Sequence, residues 1–356
     1  MNKKTKIAFL ISGGVDSSLA LQLLHQENVE IKAFYLKIWL EDELSFLGNC
    51  PWKEDLSYIE PLCEKLNIPL EIVPFQKEYW DKIVKYVIAE IKKGNSPNPD
   101  MLCNPCIKFG AFHDHLDSSF DFIATGHYAQ KKTFSDHSLL QSAKDSFKDQ
   151  TYFLAQLSQK QLSEALFPIG HLTKQEVRQK ALEFQLPAMN RKDSQGICFL
   201  GKISFNDFIR HHVGENPGNI IEHETGKILG RHKGFWFHTI GQRKGLGLSG
   251  GPWYVVGKNT DENIVYASKN YFELEQKRRA CIVSHFSWIY KAPNKENLEV
   301  KFRHGEQRYK CTLEMIDNDE GKVLIDGQDQ GIAPGQFAVF YDDDICLGSA
   351  TIKKAL

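Results

Sequence analysis

A glycine-rich turn near the start of the chain constrains the fold more than any other feature. The apolar run Ile7–Ile11 leads directly into Ser12–Ser18, which contains two adjacent glycines, and helical spacing of apolar residues follows over Ser17–Gln26. Glycines let the backbone approach a ligand closely because they carry no Cβ, and the start of a helix favours an anion. The sequence therefore predicts a strand, an anion-binding turn and a helix.

The turn matches neither of the two common nucleotide-binding patterns. A dinucleotide fingerprint needs three spaced glycines, and a Walker loop needs a lysine before its Ser or Thr. The stretch Ser12–Ser18 has no lysine and only adjacent glycines. It resembles instead the loop of ATP pyrophosphatases, enzymes that release pyrophosphate when they adenylate an acyl or carbonyl oxygen.

Length and composition indicate a multidomain cytoplasmic protein. A chain of 356 residues exceeds one ordinary core, and 42% hydrophobic with 25% charged residues is typical of globular proteins. The first apolar run is too short for a signal peptide or a membrane span. Eight cysteines without a small secreted framework indicate thiols in a reducing compartment.

The net charge of −1 does not by itself favour a nucleic-acid partner. Neutralising phosphates supplies most of the affinity for nucleic acids, so a binder needs its positive charge on one face. The clusters that could supply this charge, although such clusters are more often plain solvated faces, are Lys277–Arg279, Arg303, Arg308 and Lys310.

The order of the elements predicts an N-terminal α/β domain of Rossmann-like type with a parallel sheet, over residues 1–205. The predicted strands are Ile7–Ile11, Glu30–Ile38, Leu70–Pro74 and Phe120–Thr125. The predicted helices are Ser17–Gln26, Asp55–Leu66, Lys77–Lys92, Ile107–Leu116 and Lys174–Phe184. Turn-rich sequence over 206–278 predicts a small central β-rich domain, and period-two patterns over 279–356 predict a C-terminal β-barrel.

Two further stretches contain candidate reactive residues. Three prolines within Pro97–Cys106 predict a stiff exposed loop that holds Asp100 close to Cys103. The stretch Asp193–Phe199 places the Cys198 thiol between apolar side chains, after a glycine that permits close approach. A lone cysteine is usually a small buried hydrophobe, and Cys63, Cys281, Cys311 and Cys346 fit that interpretation.

The pair Cys103 and Cys106 has three interpretations that the sequence leaves open. A dithiol could form a reversible disulfide. Two thiolates could be half of a zinc site, although no second C-x-x-C pair is present to complete it. Cys103, Cys106 and Cys198 could also hold an iron–sulfur (4Fe–4S) cluster with one open iron.

Taken together, these stretches resemble the tRNA-specific 2-thiouridylase family over essentially the whole chain. The matching segments are Ser12–Ser18, Pro97–Cys103, Thr125–Tyr128, Lys148–Leu154, Asp193–Phe199, Thr239–Leu246, Ala333–Gln336 and Val339–Tyr341. The resemblance implies an enzyme that adenylates C2 of the wobble uridine with ATP and then installs sulfur from a cysteine persulfide. It also implies Mg²⁺, a tRNA substrate and a persulfide-donating protein as partners.

The resemblance assigns a role to each matching residue. It implies that Cys103 is the nucleophile, that Cys198 carries the persulfide, that the two form a transient disulfide, and that Asp100 assists in catalysis. The implied ATP-binding residues are Leu10, Ile11, Ser12, Gly13, Gly14, Val15, Asp16, Ser17, Leu36 and Gly126. The implied target-base loop is Asn98, Pro99 and Asp100, and the implied tRNA contacts are His127, Lys148, Asp149, Gln150, Arg308, Tyr309 and Gln336. Asp16 is also a candidate partner of Mg²⁺, which prefers carboxylate and phosphate oxygens.

Two other function classes compete with this interpretation. An adenylating amidotransferase would use the same loop but would not need Cys103 and Cys198. A tRNA-binding or sulfur-carrying protein without catalysis would not need the intact Ser12–Ser18 loop. The family commonly has basic residues near Gln130 and Gln141, and their absence here predicts modestly weaker tRNA binding.

Overall fold

The computed structural model describes residues 4–38, 52–193, 204–271, 278–329 and 331–356. In the N-terminal part its strands are Lys6–Leu10 (β1), Glu30–Lys37 (β2), Leu70–Pro74 (β3), Phe122–Thr125 (β4), Gln130–Thr133 (β5), Ser138–Gln141 (β6) and Ala165–Leu166 (β7). Five of them form a parallel sheet in the order β3-β2-β1-β4-β7. The predicted α/β domain with a parallel sheet is confirmed.

Helices cover both faces of this sheet. They are Val15–His25 (α1), Trp52–Leu66 (α2), Gln76–Lys92 with a π-helical stretch at Trp80–Val84 (α3), Pro99–His115 with a π-helical stretch at Asn104–Ala111 (α4), Thr151–Leu154 (α5), Gln159–Ser163 (α6), Lys174–Glu183 (α7) and Phe205–Val213 (α8). Side chains of β1 alternate between two cores because successive strand residues point to opposite faces. Phe9 packs with α1, α2 and α7, whereas Leu10 packs with α3 and α4.

The segment with three prolines differs from its prediction as an exposed loop. Pro99–Cys103 is helical, and the Asn98 side chain caps it by accepting a hydrogen bond from the backbone N–H of Asp100 at 3.2 Å. Proline suits the first position of a helix, where its missing N–H costs nothing. Cys103 is consequently buried, with 5% of its surface exposed.

The central and C-terminal β domains are also confirmed. The central strands are Gly218–Glu222 (β8), Ile228–His232 (β9), Tyr254–Asn259 (β10) and Ile264–Ser268 (β11), which pair in the order β10-β11-β8-β9. The C-terminal strands are Ala280–Trp288 (β12), Asn297–Lys301 (β13), Tyr309–Met315 (β14), Glu320–Ile325 (β15), Phe337–Asp342 (β16) and Ile345–Ala355 (β17). Pairing of β12 with both β15 and β17 closes these strands into a barrel.

The barrel sheet continues into the N-terminal part of the chain. Strand β6 pairs antiparallel with β17, with Leu140 opposite Cys346, and β5 then pairs with β6. The sequence did not predict this extension, because a register between strands about 200 residues apart leaves no local pattern. Among the described residues, no helix combines the length and apolar character that crossing a bilayer needs.

A buried ion pair joins the barrel to the N-terminal domain. Lys301 of β13 lies 3.2 Å from the carboxylate of Asp149, and each side chain is only 2% exposed. The Asp149 carboxylate also accepts hydrogen bonds from the Thr151 hydroxyl at 2.9 and 3.0 Å. Nearby, the Tyr152 hydroxyl donates to the backbone carbonyls of Phe302 and Phe337. These contacts fix the β13–β14 connection against α5.

Substituting Lys301 with methionine is expected to lower the free energy of unfolding by about 3 kcal/mol, because it leaves the buried Asp149 carboxylate with only the Arg308 guanidinium, 3.9 Å away, as a cation. Lys295→Met is the matched control, since that lysine pairs with Asp342 on the surface and its loss is expected to cost at most about 1 kcal/mol. Urea unfolding of the two variants checks the difference. Equal losses of unfolding free energy in the two variants would contradict the claim that the buried Asp149 carboxylate depends on Lys301.

Candidate active site

The phosphate loop lies between the end of β1 and the start of α1. Gly13 adopts a φ of +74°, a conformation that glycine reaches without strain. The Ser17 hydroxyl donates to the Gly14 carbonyl at 3.0 Å and accepts from the Ser12 N–H at 3.3 Å. Because the N-cap residue is Gly14, no side chain of its own caps the first N–H groups of α1. The loop therefore has the form of an anion site at a helix N-terminus.

Gly126 follows β4 and packs directly on this loop. A Cβ added at Gly126 would lie 2.7 Å from both the N and the Cα atoms of Ser17. Such distances are shorter than any van der Waals contact, so a glycine is needed where β4 meets the start of α1. This close approach was implied only by the family resemblance.

A cavity of about 520 Å³ opens at the carboxyl ends of β1, β2 and β4. This edge of a parallel sheet is where such folds bind ligands. Predicted site residues that line it are Leu10, Ile11, Ser12, Gly14, Val15, Asp16, Ser17, Leu36, Cys103, Gly126, His127, Lys148 and Gln150. The structure thus brings the loop, the Cys103 thiol and several implied tRNA contacts to one cavity. The described site residues that do not line it are Gly13, Asn98, Pro99, Asp100, Cys106, Asp149, Arg308, Tyr309 and Gln336.

Asp100 lies in the first turn of α4, close to Cys103 in sequence. Burial raises the pKa of its carboxyl above the usual value, although the nearby Lys108 ammonium opposes this shift. Asn104, the residue after Cys103, donates from its side chain to the Phe153 carbonyl at 2.8 Å and ties α4 to α5. The first part of α4, around Asn104, is therefore tied to α5 beside the cavity.

His127 is a half-buried histidine between two polar groups. Its Nδ1 lies 2.7 Å from the Thr125 hydroxyl and its Nε2 lies 3.3 Å from the Lys108 ammonium. Burial, and then the charge of Lys108, lower the pKa of His127 well below its usual value. The imidazole is therefore neutral at physiological pH.

This pKa shift predicts a loss of stability in acid. Unfolded His127 takes up a proton below its ordinary pKa near 6.5, whereas the folded form does not. The free energy of unfolding therefore decreases as the pH decreases. We expect His127 to account for about 1.4 kcal/mol of the loss between pH 7.5 and pH 5.5. Unfolding of His127→Gln should lack this part of the pH dependence, whereas unfolding of His171→Gln, which alters an exposed histidine, should retain it. An unchanged pH dependence in His127→Gln would refute a neutral His127.

The candidate cluster ligands are only partly placed. Cys106 lies in the π-helical part of α4, and burial raises the pKa of its thiol. A raised pKa disfavours the thiolate that a metal needs. Cys198 lies outside the described residues. Within the described ranges no group of three or more His, Cys, Asp or Glu side chains is arranged to hold a metal ion, so no step is derived through a cluster.

Asp16, the candidate Mg²⁺ partner, forms an ion pair with Lys174. Both of its carboxylate oxygens accept hydrogen bonds from the Lys174 ammonium, at 2.8 and 2.9 Å, and Oδ1 also accepts from the Tyr128 hydroxyl at 2.7 Å. The Asp16 carboxylate is thus already neutralised. Its surroundings do not fit a Mg²⁺ ion held by the protein.

Two implied tRNA contacts, Lys148 and Gln150, lie at the cavity. The Lys148 ammonium lies 2.9 Å from Oδ2 of Asp193. The Gln150 side chain accepts from the Tyr128 N–H at 2.9 Å, and the backbone N–H of Gln150 donates to the Tyr128 carbonyl. Asp149 between them is 2% exposed and pairs with Lys301 at the contact between the N-terminal part and the barrel.

The three implied tRNA contacts on the barrel, Arg308, Tyr309 and Gln336, have different surroundings. Arg308 donates to the Ser142 hydroxyl at 2.6 Å and lies over the Tyr341 ring at 4.0 Å. Tyr309 is 8% exposed and belongs to the barrel core, where burial raises its pKa to about 12. Neither residue lines the cavity. Gln336 donates to the backbone carbonyl of Ser96, just before the Asn98–Asp100 segment.

Models of three domain families match the chain in order. The tRNA methyl transferase HUP domain matches residues 5–202, the tRNA methyl transferase PRC-barrel domain matches residues 206–269, and the aminomethyltransferase beta-barrel domain matches residues 278–352.

Relatives of known function extend this match to full length. The tRNA-specific 2-thiouridylase MnmA of Parabacteroides distasonis is 46% identical over 354 residues, which is 98% of each chain. That of Porphyromonas gingivalis is 45% identical over 361 residues, covering 98% of this chain and 99% of the relative. The chain belongs to the tRNA-specific 2-thiouridylase family. Among solved structures, NMN synthetase from Francisella tularensis covers 54% of this chain and 67% of its own, with 14% identity and a TM-score of 0.32, too low to support an argument.

Several residues at the cavity of this 2-thiouridylase family member were not predicted. Lys108, Lys192 and His304 line it, and His304 comes from the barrel. The His304 ring stacks on Phe153 with the centroids 4.9 Å apart. No local motif distinguishes these residues, since their approach to the cavity depends on α4 and on the docking of the barrel.

Proposed function

We propose that this 2-thiouridylase family member uses ATP to activate C2 of the wobble uridine in tRNA and replaces the C2 oxygen by sulfur. The products are 2-thiouridine, AMP and pyrophosphate. The observation that supports this most is that the Cys103 thiol lines the same cavity as the phosphate loop. An adenylating enzyme without sulfur chemistry has no use for a thiol at that position.

ATP binding is assigned to the loop and the strand ends around it. Residues 10–17 bind the phosphates through backbone N–H groups and serine hydroxyls, while Leu36 and Gly126 border the adenosine. Lys108 and Lys148 add positive charge to the cavity wall. Mg²⁺ arrives as the counter-ion of the ATP phosphates, because the oxygens of Asp16 are engaged by Lys174.

The target base enters beside α4. A wobble uridine must leave its stack to reach an enclosed site, and we assign this contact to Asn98, Pro99 and Asp100. His127, Lys148, Gln150 and Gln336 are proposed to contact the tRNA, together with Arg308 and Tyr309 of the barrel. Asp149 acts indirectly, by fixing the chain between Lys148 and Gln150.

Sulfur transfer is proposed to involve two cysteines. The C2 oxygen first attacks the α-phosphate of ATP and pyrophosphate leaves. The Cys103 thiolate then attacks the inner sulfur of a persulfide on Cys198, which forms a Cys103–Cys198 disulfide and releases hydrosulfide. Hydrosulfide adds to C2, AMP leaves, and a thiol reductant restores both cysteines. We propose that Asp100, a partly buried carboxyl with a raised pKa, accepts the proton of the incoming sulfur.

The terminal persulfide sulfur could instead attack C2 directly and expel AMP, which leaves a Cys198–S–S–C2 adduct; an external thiol then cleaves its S–S bond to release 2-thiouridine, and no Cys103–Cys198 disulfide forms. Trapping the disulfide by alkylation and peptide mass spectrometry after a single turnover separates the two routes. Because the substrate is tRNA, we assign the reaction to the cytoplasm, with a cysteine desulfurase or a relay protein as the persulfide donor. The chain divides into a catalytic domain (1–205), a central tRNA-contacting domain (206–278) and a barrel (279–356).

The proposed function is tested by pyrophosphate release. We expect ATP cleavage to AMP and pyrophosphate to depend on a tRNA with an unmodified wobble uridine, and to fall to background with a tRNA that carries cytidine at that position. Pyrophosphate release that is independent of the wobble base, or supported by ammonia and a carboxylic acid, would favour the adenylating amidotransferase instead.

A further inference from the structure

Lys174 forms ion pairs with two carboxylates on different segments of the chain. Its ammonium lies 2.8 and 2.9 Å from the two oxygens of Asp16 in the phosphate loop, and 2.8 Å from Oδ1 of Asp193. Only 16% of the lysine side chain is exposed. One cation thus connects the nucleotide-binding loop to the chain around Asp193.

Local helix preferences do not explain a lysine at this position. Lys174 is the first residue of α7, directly after the Thr173 N-cap, where the positive end of the helix dipole disfavours a cation. A capping box between Thr173 and Glu176 fixes this first turn. The two carboxylates that Lys174 meets offset the unfavourable dipole, so its tertiary ion pairs account for its presence.

Asp193 is held by three cations. Besides Lys174, it accepts from Lys148 at 2.9 Å and from Arg178 at 2.6 Å. Burial alone would raise the pKa of Asp193, but the bonds to Lys174 and Lys148 lower it well below its usual range. Arg178 also donates to the backbone carbonyls of Met189 and Arg191. The ion pairs therefore hold the backbone of residues 186–193 as well as the Asp193 side chain.

These ion pairs lie next to the cavity at the phosphate loop. Asp16, Lys148 and Asp193 all line it. A triphosphate bound at the loop places several negative charges beside Lys148 and Lys174, and Coulomb attraction then competes with Asp193 for both ammonium groups. Nucleotide binding thereby weakens the hold on Asp193.

We propose that Lys174 is a positioning residue that couples nucleotide binding at the phosphate loop to the conformation of residues 186–193. The coupling rests on the proposed function, since it takes ATP as the nucleotide. Its consequence is that residues 186–193 are held more firmly before ATP binds than after. Coupling free energies between two sites are reciprocal, so loosening residues 186–193 also favours ATP.

Hydrogen exchange of the full-length protein tests this coupling. We expect saturating ATP to speed backbone exchange over residues 186–193 by about fivefold or more, the lower end of usual coupling factors. In Lys174→Met, Lys148 and Arg178 still hold Asp193, so exchange over these residues should start only modestly faster than in the wild type, and ATP should change it by less than about twofold. Asp193→Asn removes the other end of the ion pair and should give the same small response to ATP, which provides a second test if Lys174→Met folds poorly.

Lys144→Met is the matched control, because Lys144 pairs with Glu176 of the same helix at 2.7 Å and contacts neither Asp16 nor Asp193. It should respond to ATP as the wild type does. Calorimetry of ATP binding separates the two proposals. ATP that binds without changing the exchange of residues 186–193, or that changes it equally in Lys174→Met, overturns the coupling alone. Failure of ATP to bind the wild type refutes the proposed function itself.

Discussion

Cys198→Ser is expected to abolish tRNA thiolation, by about a thousandfold or more, because loss of a covalent catalytic group costs at least that factor. Adenylation should survive, since the persulfide takes no part in the attack of C2 oxygen on ATP. Two assays of one preparation check this result: mass spectrometry of digested tRNA for 2-thiouridine, and wobble-uridine-dependent release of pyrophosphate.

Cys106→Ser is the matched control for that experiment. The thiol of Cys106 is absent from the cavity lining and has a raised pKa, so thiolation by this variant should equal that of the wild type. Thiolation that persists in Cys198→Ser would contradict the persulfide assignment. Thiolation that is lost in Cys106→Ser would contradict the two-cysteine route and favour the cluster that uses all three cysteines.

Gly126→Ala is expected to weaken ATP binding by about tenfold to a hundredfold, because losing one hydrogen bond to a charged phosphate costs about 1.5–3 kcal/mol. The added Cβ would lie 2.7 Å from the N and Cα atoms of Ser17, and backbone atoms cannot rotate away as a side chain can. The start of α1 must therefore move away from the position that binds phosphate. Calorimetric titration with ATP measures the loss.

Gly257→Ala is the control for this substitution. A Cβ at Gly257 would lie 3.6 Å from the Tyr266 side chain, an ordinary contact, and the residue lies in β10 of the central domain. Its affinity for ATP should be that of the wild type. Normal ATP binding by Gly126→Ala, in a protein that melts at the wild-type temperature, would contradict the assignment of this loop to the nucleotide.

The features that the sequence predicted well are those with local patterns. Apolar periodicity and the adjacent glycines identified β1, the phosphate loop and α1 within two residues of their observed ends. Period-two alternation likewise identified the barrel strands β13, β14, β16 and β17. In each case the pattern follows directly from the geometry of the element and from which side faces the core.

The features that the sequence missed depend on contacts between distant segments. The three prolines of Pro97–Cys106 suggested an exposed loop, whereas tertiary packing makes Pro99–Cys103 a buried helical turn. The ion pair between Asp149 and Lys301 of the barrel was likewise not predicted. Such pairings have no local signature, and they decide which charged side chains face the cavity and which support it.

The most direct test of the account is an anaerobic thiolation reaction with iron-free protein, ATP, Mg²⁺, a persulfide donor and a tRNA with an unmodified wobble uridine. We predict that 2-thiouridine forms at the wobble position, with AMP and pyrophosphate in equimolar amounts. Formation of 2-thiouridine only after reconstitution with iron, or its complete absence while AMP accumulates, would contradict the proposed transfer of sulfur by two cysteines.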